Sequence, residues 1–109
     1  MDELNGSVDM NVMVVGSGGR EHALVRSLLQ SQEIERIWVA PGNGGTATLD
    51  RCQNLPVATG DLEGLVYSCQ EKQVDLVVVG PEVPLALGLV DRLKTLGIPA
   101  LGPDQRGAQ

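Results

Sequence analysis

Apolar residues fall into two patterns that alternate along the chain: short unbroken runs, and stretches where they recur every three or four positions. The runs at 10–15 (MNVMVV), 37–40 (IWVA), 55–58 (LPVA), 76–79 (LVVV) and 99–101 (PAL) predict five strands. Helical spacing predicts a first helix over 19–31, with Ala23, Leu24, Val25, Leu28 and Leu29 marking its buried side. A second opens after Asp61, a plausible N-cap, and repeats Leu62, Leu65, Val66 and Cys69. A third opens at Pro84, lines one face with Leu85, Leu89, Leu93 and Leu96, and stops at Gly97 before Pro99. The run at 76–79 lacks polar alternation, which predicts cover on both faces and a place at the centre of the sheet. Residues 41–45 (PGNGG) read as a loop.

Strands alternating with helices require a parallel sheet with crossover connections, and right-handed crossovers most simply give the order 3-2-1-4-5. The expected fold class is therefore α/β, a doubly wound, mainly parallel five-stranded sheet with helices on both faces. In such folds ligands bind where strand order reverses, beyond the carboxyl ends of strands one and four. Three unusual loops converge there: 16–20 after strand one, 41–46 after strand two and 80–84 after strand four. The first reads Gly16-Ser17-Gly18-Gly19-Arg20-Glu21-His22-Ala23. A strand, a glycine turn and a helix start aim backbone N–H groups at an anion, with the positive end of the helix dipole behind them. The expected ligand is a small phosphorylated molecule.

A dinucleotide is the rival. The G-x-G-x-x-G pattern matches at Gly16 and Gly18 but fails at Glu21, which stands where the third glycine allows close helix packing. The acid that would bind ribose hydroxyls after strand two is also missing, replaced by Ala40-Pro41-Gly42-Asn43, and no Gly-Lys-Ser/Thr of a P-loop occurs. Glu82, between Pro81 and Pro84, is placed to accept paired hydrogen bonds from vicinal sugar hydroxyls, or to cap the following helix through its dipole. Arg20 is a candidate phosphate clamp, with solvation or pairing to Glu21 as the alternatives. Asn43 serves either as a ligand contact or as a residue that accepts a left-handed backbone. His22 lacks an identifiable activating partner and reads better as packed or capping than as an acid or base.

Composition narrows the classes. A chain of 109 residues makes one domain, and 42% apolar content with 20% charge is that of a soluble globular protein. No apolar stretch approaches the roughly 20 residues needed to span a bilayer. Eight basic against fourteen acidic residues give a net charge of −6, and Trp38 and Tyr67 are the only aromatics, which argues against nucleic acid as a partner. Cys52 and Cys69 form no metal-ligand pattern and read as cytosolic thiols, with a disulfide between them left open. Residues 1–9 read as a flexible leader without targeting features, so the expected location is cytoplasmic.

Three separated strings carry a more specific signal: VVGSGGREHAL at 14–24, VAPGNGGTA at 39–47 and VDLVVVGPEVPLALGLVD at 74–91. Together they resemble the N-terminal domain of the phosphoribosylamine-glycine ligase (glycinamide ribonucleotide synthetase) family of purine biosynthesis. The resemblance covers nearly everything after residue 9. It implies a Rossmann-like, pre-ATP-grasp layer that helps bind 5-phosphoribosylamine, in an enzyme that joins glycine to that substrate through a glycyl phosphate, using ATP and Mg²⁺ (or Mn²⁺). Carried over by position, Ser17, Gly18, Gly19 and Arg20 lie at the ribose phosphate, Gly42 and Asn43 beside it, and Glu82 at the ribose hydroxyls. The family continues into ATP-grasp and C-terminal domains, which hold the ATP and the metal. This chain is accordingly expected to bind no cofactor, to be silent alone, and to meet the ATP-grasp domains as a partner. A stand-alone sugar-phosphate or nucleotide binding module is the alternative.

Overall fold

The computed structural model describes residues 10–16, 18–80, 83 and 86–102. The elements in chain order are β1 (Met10–Gly16), α1 (Gly19–Leu28), β2 (Ile34–Pro41), α2 (Gly44–Ala47), β3 (Cys52–Asn54), α3 (Leu62–Glu71), β4 (Leu76–Val79), α4 (Ala86–Thr95) and β5 (Ala100–Leu101). They form one five-stranded sheet of order β3-β2-β1-β4-β5, every neighbouring pair parallel. The expected order and class are therefore observed. β1 holds the middle of the sheet, and β4, read from sequence as the centre, sits one place away.

Successive side chains of β1 point to opposite faces. Met13 and Val15 join Val77, Val79, Leu65, Cys69, Leu89 and Leu93 in a core roofed by α3 and α4. Val12 and Val14 join Ile37, Val39 and Val25 in a second core under α1. One helix covers less than two, so Leu76 and Val78 on the α1 side stay half-buried while Val77 and Val79 are buried. Near its start β2 carries an extra residue opposite β1: Met10 pairs with Ile34 and Asn11 with Arg36, skipping Glu35. The shift lets Ile34 and Ile37 face the same core although they are three positions apart.

Several boundaries depart from the sequence reading. α1 ends at Leu28 rather than 31, because Gln30 and Ser31 donate to Ser27 O and Leu28 O in a tight turn. The Arg51 guanidinium takes the Leu29 and Ile34 carbonyls there, supplying partners that an ended helix leaves open. β3 lies at Cys52–Asn54, ahead of the expected 55–58. Leu55 donates to Val39 O, but the next donor on that side, Val57 N–H, turns back to Leu55 O at 2.8 Å and leaves the ladder. Asp61 caps α3 as expected, accepting from Gly64 N–H at 3.0 Å. In α4, Leu89 and Leu93 are buried but Leu96, expected on the same face, is 42% exposed beyond the helix end. The helix-opening role of Pro84, the placement of Leu85 and the leader at 1–9 lie outside the described residues. On the surface, Arg92 pairs with Glu63 through two hydrogen bonds of 2.8 and 2.9 Å, linking α4 to α3 and holding the Glu63 carboxyl below its ordinary range.

Both cysteines are free thiols. Cys69 belongs to the core under α3 and α4, and Cys52 packs against the core under α1, so the sheet separates them. Among the described residues, no helix is long and apolar enough to cross a membrane.

Candidate functional site

Because all strands are parallel, the turns after β1, β2 and β4 leave the sheet at one edge, and backbone hydrogen bonds tie them together. Gly42 N–H donates to Gly16 O at 3.1 Å, and Gly80 N–H to Val15 O at 3.0 Å. Val83 N–H then donates to Gly80 O at 3.1 Å, closing a tight turn after β4. The Asn43 side chain reaches across and donates from Nδ2 to Gly18 O at 3.2 Å. Gly18, Gly19, Arg20, Gly42 and Asn43 thus lie together. Ser17 and Glu82, the other two expected site residues, lie outside the described residues.

The glycine turn differs from the bare, donor-lined surface that the sequence suggested. Glu21 is only 4% exposed, and its Oε1 accepts from Gly18 N–H at 2.7 Å. Its side chain folds back beneath Gly16, whose φ is +149°; a Cβ placed there would stand 2.5 Å from Glu21 Cγ and 2.7 Å from Cδ. Gly16 is a glycine because of the backbone angle and because a carboxylate fills the space beside it. One amide of the turn is therefore already satisfied within the chain. Glu21 occupies the third position of the first helical turn, where an acid bonds back to the N-cap amide, and that spacing after Gly18 was the signal for it.

What remains for a ligand is the rest of that turn. Gly18 has no side chain to cap α1, so Gly19 and Arg20 begin the helix with backbone N–H groups directed outward. A Cβ on Gly19 would meet nothing within 4 Å, so the approach is open. The Arg20 side chain is exposed with no hydrogen bond among the described residues, which favours solvation or a ligand over pairing with the inward-turned Glu21. His22 is packed: its ring lies so close to Gly45 that a Cβ there would be 3.0 Å from Cε1.

The loop after β2 is more structured than expected. Residues 41–45 do not form a simple loop, because α2 begins at Gly44 with Asn43 as its N-cap, Oδ1 accepting from Thr46 N–H at 2.9 Å. Asn43 has an extended backbone (φ −149°), so its left-handed reading is corrected; the positive φ, +80°, belongs to Gly42. Thr46 is fully buried. Its hydroxyl accepts from Asn43 N–H at 2.9 Å and donates to Asn54 Oδ1 at 2.7 Å, while Asn54 Nδ2 donates to Asn43 O at 2.8 Å. A Cβ on Gly42 would fall 2.2 Å from Asn54 Oδ1. Thr46 and Asn54, neither singled out from sequence, therefore fix the position of Asn43. The Asn43-x-x-Thr46 spacing carries the first; Asn54 comes from a different element and has no local signal.

The family model of the phosphoribosylglycinamide synthetase N domain matches residues 10–109. Among curated relatives, the phosphoribosylamine–glycine ligase of a Nostoc species is 55% identical over 100 residues, which is 92% of this chain and 24% of the relative. Those of Vibrio vulnificus and Allochromatium vinosum are 50% and 48% identical over the same share of this chain and 23% of their own length. The chain thus spans about a quarter of the length of the curated relatives it matches. A match that runs from the first residue of β1 through the last strand, with the glycine turn inside it, settles the family: this chain belongs to the phosphoribosylglycinamide synthetases, as their N domain.

Proposed function

We propose that this chain supplies the phosphoribosylamine-binding part of an ATP-dependent ligase that joins glycine to 5-phosphoribosylamine in purine biosynthesis in the cytoplasm. The observation that carries the reading is the clasp between the first two turns, Asn43 Nδ2 on Gly18 O and Gly42 N–H on Gly16 O, beside a helix start whose N-cap residue, Gly18, has no side chain. The Gly19 and Arg20 amides take the phosphate oxygens, the Arg20 guanidinium adds a charge-assisted bond, and Asn43 borders the ligand. Ser17 lies beside the same phosphate. Glu82, between Gly80 and Val83 in the sequence, accepts from the ribose hydroxyls.

The chain's own part in the reaction is to hold the sugar phosphate and orient the amine at its first carbon, which restricts the approach of the activated glycine. In this reading ATP and Mg²⁺ belong to the remainder of the ligase. Among the described residues no three His, Cys, Asp or Glu side chains gather to hold a metal ion, and the glycine turn is not followed by the lysine of a P-loop. No step of the reaction is therefore assigned to them on this chain.

Isothermal titration with ribose 5-phosphate, a stable stand-in for the substrate, tests the reading. Ribose 5-phosphate should bind and NAD should not. Arg20→Ala should weaken ribose 5-phosphate by about tenfold or more, the size of one charge-assisted bond. It should leave the melting temperature unchanged, since Arg20 is exposed and bonds nothing among the described residues. Equal affinity in wild type and Arg20→Ala would remove the guanidinium from the site.

A further inference from the structure

We propose that Glu21 is a specificity-determining residue, one that makes this glycine turn a receptor for a single phosphoryl group and closes it to a diphosphate. The inference rests on the sugar-phosphate reading above. In a dinucleotide site the second glycine of the turn gives its backbone to the pyrophosphate, and the third leaves room for the helix to approach the strand. Here Glu21 takes the third position and folds back against Gly16, and its carboxylate holds the Gly18 N–H at 2.7 Å. The donor that a second phosphoryl group would need is thus occupied, and the occupant is itself negatively charged. A first phosphoryl group at the Gly19 and Arg20 amides escapes both effects, because it lies on the outer side of the turn with Arg20 beside it. A second, extending toward Gly18, meets an amide already taken and the carboxylate that holds it, and like charges oppose one another.

The lock is built from two residues that require each other. Gly16 at φ +149° leaves the space that the Glu21 stem fills, and any side chain at residue 16 would collide with it. The arrangement therefore does more than cap a helix: it converts a turn of dinucleotide type into one with a single anion seat.

The test is the ratio of dissociation constants for ribose 5-diphosphate and ribose 5-phosphate, measured by titration calorimetry on the full chain as wild type, Glu21→Gln and Glu21→Gly. Wild type should prefer the monophosphate by about tenfold or more. Glu21→Gln keeps the acceptor for Gly18 N–H and the packing under Gly16 but removes the charge, and its ratio should fall toward one. Glu21→Gly frees the amide as well and should favour the diphosphate. A wild-type ratio near one, or a ratio unchanged in Glu21→Gln with a native circular dichroism spectrum, overturns the proposal, since a merely structural role moves both ligands together. Should Glu21→Gly fail to fold, Glu21→Gln decides alone. Failure of wild type to bind ribose 5-phosphate at all would instead overturn the reading of the site on which the proposal stands.

Discussion

Three glycines near the site have three different physical reasons to be glycine. Gly16 makes room for Glu21, Gly42 turns the chain at φ +80° against the Asn54 amide, and Gly19 faces open space at the start of α1. Substituting alanine separates them. Gly42→Ala places a Cβ in a left-handed backbone and 2.2 Å from Asn54 Oδ1, so it should destabilise the fold by about 2 kcal/mol or more in urea unfolding. Gly19→Ala meets nothing and trades a poor helix former for the best one, so stability should hold or rise by up to ~1 kcal/mol. If the phosphate sits where proposed, the same Gly19→Ala chain binds ribose 5-phosphate more weakly; unchanged affinity would place the ligand elsewhere. That the segment turns from a strand into a helix was legible in the string of glycines. Which neighbour each glycine accommodates was not, because Asn54 reaches Gly42 from another strand and Glu21 reaches Gly16 only once α1 has set its direction.

Elements were legible wherever the apolar pattern was long, and less so where polar groups decide the boundary. β1, β4 and α3 fall close to their predicted positions because burial dictates them. β3 was misplaced by the apolar look of 55–58, since the ladder ends where Val57 N–H turns back to Leu55 O instead of reaching β2. α2 went unseen because hydrogen bonds rather than apolar side chains set it: Asn43, Thr46 and Asn54 bond to one another, and Thr46 is buried without being apolar. Thr46→Val keeps the shape and deletes the hydroxyl, leaving Asn43 N–H and Asn54 Oδ1 without that partner. It should cost about 1–3 kcal/mol in unfolding experiments. Thr46→Ser retains the hydroxyl and loses one methyl group, so its loss should stay near ~1 kcal/mol. The opposite ranking would show that packing rather than the hydroxyl holds the loop.

Over the whole molecule, the sheet divides two cores, and the one beneath α3 and α4 contains a titratable thiol. Burial pushes Cys69 from an ordinary 9.0 up to about 11, with its S–H on Met13 Sδ at 3.6 Å. Between those values the folded chain keeps a proton that the unfolded chain has released. This contribution to stability is complete below about pH 9 and fades as pH rises toward 11. Melting temperatures from pH 8 to 11 should therefore fall more steeply for wild type than for Cys69→Ala, whatever the offset between them; parallel curves would remove the thiol from the account. The sheet order was legible because crossover handedness leaves few alternatives, whereas long-range polar ties such as Arg51 carry no periodic trace. Arg51 grips the carbonyls of Leu29 and Ile34 at the end of α1 opposite its glycine turn, a helix length of ~15 Å away. If the phosphate sits where proposed, α1 is gripped at its tail and carries the anion seat at its tip. Arg51→Met should lower stability by about 1–3 kcal/mol and quicken ribose 5-phosphate release, though no atom of residue 51 comes near the sugar.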